Sequence, residues 1–192
     1  ATSPSPGEGK SITAANLATV IAQGGQRVVL VDADLRRPFL HKTFRLSNLV
    51  GLSGALMQAE PALDSFLQAT EVENLWVLTS GPLPLNPAEL LDSNRMQRLI
   101  QRLKDQFNMV IIDSPPCLVR TDAIVLARHL DGVLFVIDAA YTRREAAVRA
   151  KDAVERAGGH ILGVTLNRIP HSDNYYAYYF YSDEGRRKKR PL

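Results

Sequence analysis

The sequence predicts an α/β fold: a mainly parallel sheet flanked by helices. Three observations carry that expectation. Short, β-branched-rich apolar runs alternate with amphipathic stretches along the 192 residues. Those runs are apolar on both faces, as strands covered by helices on each side are. Helix-stopping glycines then fall between the two kinds of segment. A chain of this length buries most of its apolar side chains in one core, and 45% hydrophobic with 22% charged residues is ordinary globular composition.

Each element has a local reason. A helix over Lys10–Gln23 is stopped by Gly24-Gly25. Arg27–Val31 is the first strand and Leu75–Thr79 the second. Asn86-Pro87-Ala88-Glu89 supplies a cap, a proline at the first helical position and a capping acid, so one helix is expected from there to about Gln106. Met109–Ile112 follows as a strand, and Thr121 is placed to cap a shorter helix. Val133–Ile137 and Ile161–Leu166 are the last two strands. Between them, Thr142 and Glu145 read as a capping box for a helix that Gly158-Gly159 ends. The body is expected to close near Pro170, giving a domain over 1–170 and a polar, aromatic, basic tail over 171–192.

Several functions are excluded by what the sequence lacks. One cysteine, Cys117, forbids an intrachain disulfide and suits a reducing compartment. The four histidines are scattered without zinc-ligand spacing. No apolar run approaches the ~20 residues that span a bilayer, and the N-terminus has no signal-peptide layout. The net charge of +3 is partly local to Arg186–Arg190, so no nucleic-acid-binding body is inferred.

Chemistry concentrates in three segments. Gly7-Glu8-Gly9-Lys10-Ser11 opens the first helix. Glycines there let backbone N–H groups close around phosphate, the lysine adds a point charge, and the serine hydroxyl reaches Mg²⁺. Val29-Leu30-Val31-Asp32-Ala33-Asp34-Leu35-Arg36 delivers two acids and a base at the C-terminal end of a strand, the edge where such sheets bind ligands. Val110-Ile111-Ile112-Asp113-Ser114-Pro115 repeats the arrangement, with Asp113 placed to hold Mg²⁺ directly or through water. Phosphate loops are entered from a strand. None precedes Ala1, so the first strand is expected to belong to a parent chain of which this is a fragment.

Together these segments resemble the Walker A, A′ and B motifs of the bacterial tyrosine kinases, which are P-loop NTPases of the Min/Par-related group. Thr79–Leu91 and Gly51-Leu52-Ser53 are also similar to that family, and the resemblance covers nearly the whole chain. It departs at the front, where the family carries a first strand and an oligomerising Glu-x-x-Arg-x-x-Arg helix. The resemblance implies ATP and Mg²⁺ as cofactors. It places Lys10, Asp32, Asp34 and Asp113 in catalysis, and Gly7, Glu8, Gly9, Lys10, Ser11, Ile12, Arg36 and Asn167 around ATP. Ser11, Asp32 and Asp113 would hold the metal. Arg36 and Arg37 either steady phosphate charge or serve as salt-bridge partners. Asn167 stands where relatives read adenine with an amide, or simply ends a strand.

Asn174–Tyr181 holds five of the six tyrosines. Tyr175, Tyr176, Tyr178, Tyr179 and Tyr181 are candidate phosphoacceptors, against the alternative of an aromatic partner-binding segment. The family implies autophosphorylation between neighbours in a homo-oligomeric ring at the cytoplasmic face of the inner membrane. It also implies a transmembrane activator, polysaccharide-export machinery and a tyrosine phosphatase as partners. Two rivals share the binding residues: a Min/Par-type switch ATPase, and a regulatory module that holds ATP without transferring it. The first carries a second lysine in its loop where this chain has Ser5. A dinucleotide-dependent oxidoreductase is disfavoured because no G-x-G-x-x-G occurs.

Overall fold

The structure, a computed structural model, describes residues 1–169. The expected tail over 171–192 and its five candidate acceptor tyrosines lie outside the described residues. In chain order the elements are α1 (Lys10–Gln23), β1 (Val28–Asp32), α2 (Leu40–Thr43), α3 (Leu52–Met57), a 3-10 turn (Leu63–Ser65), β2 (Gln68–Ala69) and β3 (Leu75–Leu78). Then follow α4 (Pro87–Leu91), α5 (Asn94–Gln106), β4 (Met109–Asp113), α6 (Asp122–Ala127), β5 (Val133–Asp138), α7 (Arg144–Arg156) and β6 (Ile161–Asn167).

Four strands lie in the order β2-β3-β1-β4, with β1 parallel to both β3 and β4 and only the two-residue β2 antiparallel. β5 and β6 form a second parallel pair. The join between the pieces is Ala1-Thr2. Ser114 N–H donates to Ala1 O at 3.2 Å on the β4 side, and Thr2 exchanges bonds with Leu134 O and Val136 N–H on the β5 side. The open space between β4 and β5 is lined by Leu134, Ile111 and Ile112.

The strand pleat sorts the core. Val28 and Leu30 pack with Leu75, Val77 and the alanines Ala14, Ala15, Ala18 and Ala22 of α1. Those small residues give α1 a smooth buried face on the sheet. The alternate residues Val29 and Val31 turn to the other face, against Leu52, Met96, Leu99 and Leu103 from α3 and α5. Both faces of β1 are therefore dry, which accounts for its unbroken apolar run.

Four local expectations are corrected. The single helix from Asn86 to Gln106 is two helices, broken at Asp92-Ser93. Ser93 caps the second by accepting the Met96 N–H, while α4 leans on α6 and α5 lies along β4. Asn86 does not cap with its side chain; its amide donates to Glu89. Thr142 is not the cap of α7, a place taken by Arg143 without a side-chain bond. Its hydroxyl is used elsewhere, as described below. Thr121 precedes α6 as expected but makes no capping bond.

Candidate active site

The functional residues gather at the C-terminal ends of β1 and β4, beside the start of α1. Gly7 and Gly9 both hold left-handed φ angles, 81° and 90°. At Gly9 an added Cβ would lie 2.3 Å from Asn167 Nδ2, so both backbone angle and space require glycine there. No side chain caps the first turn of α1. Its free N–H groups and the positive end of its dipole therefore face the loop, the arrangement that binds phosphate.

Glu8 lies inside this loop with 1% exposure, and its carboxylate points away from the cleft. It accepts the Ser5 N–H at 2.8 Å and the Thr142 hydroxyl. Thr142 in turn accepts the Asp138 N–H at 3.1 Å. Behind the loop, Asn167 Nδ2 donates to Glu8 O at 3.0 Å and to Thr13 Oγ1 at 3.2 Å. The loop is thus braced by β5, β6 and the start of α7. Glu8 meets a phosphate only through its backbone, and Asn167 keeps only Oδ1 for a ligand.

The acids play unequal parts. Asp32 and Asp113 sit opposite each other in the parallel register and are both fully buried. Asp32 is spent on backbone: Oδ1 accepts the Asp34 N–H, and Oδ2 accepts those of Phe39 and Leu40 at 3.0 Å each. Burial, reinforced by the Asp113 charge and opposed by those N–H groups, pushes its pKa up to about 7. Asp113 has no hydrogen-bond partner on either oxygen. Lys10 Nζ lies 4.0 Å from it. Burial raises its pKa, against the pull of Lys10 and the neighbouring Ser11 hydroxyl.

Asp34 faces the cleft. Its Oδ2 is 3.4 Å from Lys10 Nζ, and its Oδ1 accepts the Arg37 N–H at 2.9 Å. Lys10 also donates to Ser11 Oγ at 3.1 Å. Arg36 is committed to the protein: its guanidinium forks onto buried Asp122 at 2.7 and 3.2 Å. It makes the salt bridge and also lines the cleft, so it can still meet phosphate charge. The cleft, about 580 Å³, is lined by Gly7, Gly9, Lys10, Ser11, Ile12, Asp34, Arg36 and Arg37, whereas Glu8 and Asn167 stand behind its lining. Phe39, Val119, Arg120 and Arg168 also line it and were not singled out, since no motif marks them.

Among the described residues no three His, Cys, Asp or Glu side chains form a metal-binding group. The orphaned Asp113 carboxylate beside Ser11 nonetheless fits Mg²⁺ that takes its remaining ligands from phosphate and water.

Comparison with known proteins gives the family and the fold. Residues 5–147 match the family described as an AAA domain. The tyrosine-protein kinase YwqD of Bacillus subtilis (strain 168) is 45% identical over 181 residues, which cover 93% of this chain and 75% of YwqD. The chain belongs to the bacterial tyrosine-protein kinases. Its fold is that of the family's kinase domain. The kinase domain of the Escherichia coli tyrosine kinase ETK superposes with a TM-score of 0.83 at 35% identity, covering 89% of this chain and 68% of that one. The fold also reaches the family's wider P-loop group. The cell division ATPase MinD of Pyrococcus furiosus superposes with a TM-score of 0.73 at 27% identity, over 90% of this chain and 73% of MinD. This bacterial tyrosine-kinase chain has no helix, among its described residues, long and apolar enough to cross a membrane.

Proposed function

We propose that this chain transfers the γ-phosphate of ATP to tyrosine hydroxyls, those of residues 175–181 among them. The observation that supports it best is the buried Asp113 carboxylate, left without a hydrogen-bond partner beside Lys10 and Ser11. A carboxylate kept dry without a hydrogen bond, with Lys10 only at 4.0 Å, is costly, and a metal–phosphate ligand would relieve it.

The residues then divide the work. Backbone N–H groups of Gly7–Ser11 and the α1 terminus cradle the phosphates, and Lys10 Nζ offsets charge on the transferring group. Ser11 and Asp113 would hold Mg²⁺, which would supply positive charge to offset that of the phosphates. Asp34 is the acid that faces the cleft. A tyrosine hydroxyl has a pKa of ~10 and attacks poorly until a base takes its proton. Asp34 Oδ2 is placed to accept that proton. Asp32 acts as a positioning residue, bonded to the backbone that carries Asp34. Ile12, 46% exposed on the first turn of α1, offers an apolar contact to the nucleotide, and Asn167 Oδ1 an acceptor to its base.

Residues 1–170 form the kinase domain in this reading and 171–192 the acceptor tail. Following the family resemblance, the chain acts in a homo-oligomeric ring on the cytoplasmic face of the inner membrane. A transmembrane activator, polysaccharide-export machinery and a tyrosine phosphatase are its partners, and capsule or exopolysaccharide output is what it regulates.

Phosphotyrosine mapping by mass spectrometry on the protein as it is expressed in its cell, beside Lys10→Met, tests the proposal. Phosphate on residues 175–181 that disappears in the variant is expected. Steady ATP turnover with no tyrosine phosphorylation would instead identify a switch ATPase.

A further inference from the structure

A second charged recess lies away from the nucleotide cleft and shares no lining residue with it. Arg95, Arg98 and Arg102 fall at positions i, i+3 and i+7 of α5 and so occupy one side of that helix. They line a hollow of about 730 Å³ floored by Leu56, Leu99 and Pro61. Arg95 Nη1 donates to Leu56 O at 3.1 Å and Met57 O at 3.0 Å, and Arg102 Nη1 donates to Pro61 O at 2.9 Å. These bonds hold the two guanidiniums in place and leave their other N–H groups uncommitted. Among the described residues none of the three arginines is in an ion pair. One acid, Glu60, lines the same hollow.

Beside it, sharing Leu56, Arg95 and Arg98, is a more apolar hollow of about 620 Å³ whose walls include Met57, Leu85, Leu90 and one acid, Glu89. Met57 is 71% exposed and Leu85 is 99% exposed. Solvent-facing apolar side chains next to fixed guanidiniums suit a ligand that carries an apolar ring and a dianion in one side chain.

We propose that this double recess on α5 binds phosphotyrosine, and that its occupant is the phosphorylated 174–184 segment of a second copy of the chain. The proposal rests on the tyrosine-kinase reading for the source of the phosphate. Guanidiniums pair with phosphate oxygens in a bidentate fork, and the neighbouring apolar wall takes the ring and the adjoining aromatic residues. Without phosphate the only charges in the segment are Asp183 and Glu184, and it runs into five basic residues that the arginines repel. Each phosphate adds roughly −1.5 to −2 charge and reverses that balance. The arginines stand in a recess, so a projecting peptide side chain reaches them better than a flat bilayer does.

The test uses the full chain and two synthetic peptides of the 174–184 sequence, one phosphorylated at Tyr178 and Tyr179 and one unmodified, with binding followed by fluorescence anisotropy. The phosphopeptide should bind at least about tenfold more tightly than its twin. Arg98→Glu with Arg102→Glu should abolish that difference, while Lys10→Met, in the nucleotide cleft, leaves it intact. Thermal melting establishes that each variant is folded, and Arg98→Ala provides a milder version if the double variant is not.

Equal binding of the two peptides would overturn the proposal. So would loss of binding in Lys10→Met with Arg98→Glu unaffected, which would place the peptide in the nucleotide cleft. Arginine-dependent binding to anionic vesicles without binding of the phosphopeptide would assign the recess to lipid instead. Because the peptides are made chemically, these results do not depend on the chain's own activity. Phosphopeptide binding to a chain whose tail is never phosphorylated would overturn the tail as occupant and count separately against the kinase reading.

Discussion

The Thr142 hydroxyl donates to the Glu8 carboxylate across 134 residues of sequence, fastening the phosphate loop to the start of α7. Thr142→Val removes that donor and also the acceptor for the Asp138 N–H. A buried hydrogen bond to a charged group is worth about 1.5–3 kcal/mol. The variant should lose stability of that order in urea unfolding and bind ATP about tenfold more weakly. Lower stability with unchanged ATP affinity would reduce the contact to a purely structural one.

Asp113→Asn should separate stability from activity. The carboxylate is fully buried, and burial raises its pKa. Replacing it with a neutral amide removes a desolvated charge, so the melting temperature should stay level or rise. Phosphotransfer should meanwhile fall by about a hundredfold or more, as it does when a transition-state electrostatic group is removed. A destabilised variant with near-normal turnover would show that the acid holds the fold together rather than the ligand.

Arg36 and Arg37 should behave as opposites despite being neighbours. Arg36→Met strands the fully buried Asp122 without its guanidinium, and breaking such a pair costs about 3–5 kcal/mol. The loss should be toward the lower end, because the arginine is itself a third exposed. Arg37→Met removes an exposed side chain at the cleft, and should leave stability within about 0.5 kcal/mol while changing nucleotide or acceptor affinity. Chemical denaturation of the two variants, with ATP titrations beside them, decides between these outcomes.

Cys117 should be inert in the native protein. It is 2% exposed, and burial pushes its thiol up to about 11. The raised pKa keeps the sulfur protonated, and so non-nucleophilic, at pH 8. Iodoacetamide at that pH should label the folded chain much more slowly than the urea-unfolded chain, whose cysteine regains an ordinary pKa. Fast labelling of folded protein would mean that the loop between β4 and α6 opens readily.

Most of the sheet was legible because β1 and the C-terminal half of β4 are covered on both faces and their apolar runs are unbroken. Four expected strands run on by an acid or amide at the C-terminal end, Asp32, Asp113, Asp138 and Asn167, while β1 begins after Arg27 and β3 stops before Thr79. Those polar ends look like loop starts in a sequence, yet parallel pairing carries them into the sheet edge where ligands bind. The break between α4 and α5 was harder to see. The apolar pattern runs through it, and the division comes from each helix packing on a different neighbour. β2 has two residues and α2 four, too short for any periodicity to show.

In the site, the residues adjacent in a motif were legible and their distant partners were not. Lys10, Ser11, Asp34 and Asp113 converge as expected. Nothing near Arg36 announces that Asp122 will hold it, and nothing near Glu8 announces Thr142. Asp32 reads like Asp34 in sequence. Only the turn back into α2, whose N–H groups it accepts, makes it a brace.

The bonds from Asn167 to Glu8 and Thr13 span more than 150 residues and join the front of the described chain to its last strand. A ribosome makes these segments more than 150 residues apart, at about 5–20 residues per second. The glycine turn is synthesised early, but the amide that shapes it from behind emerges only once β6 has been made. A nascent chain stalled before residue 167 should therefore hold its sheet core and yet be unable to retain nucleotide.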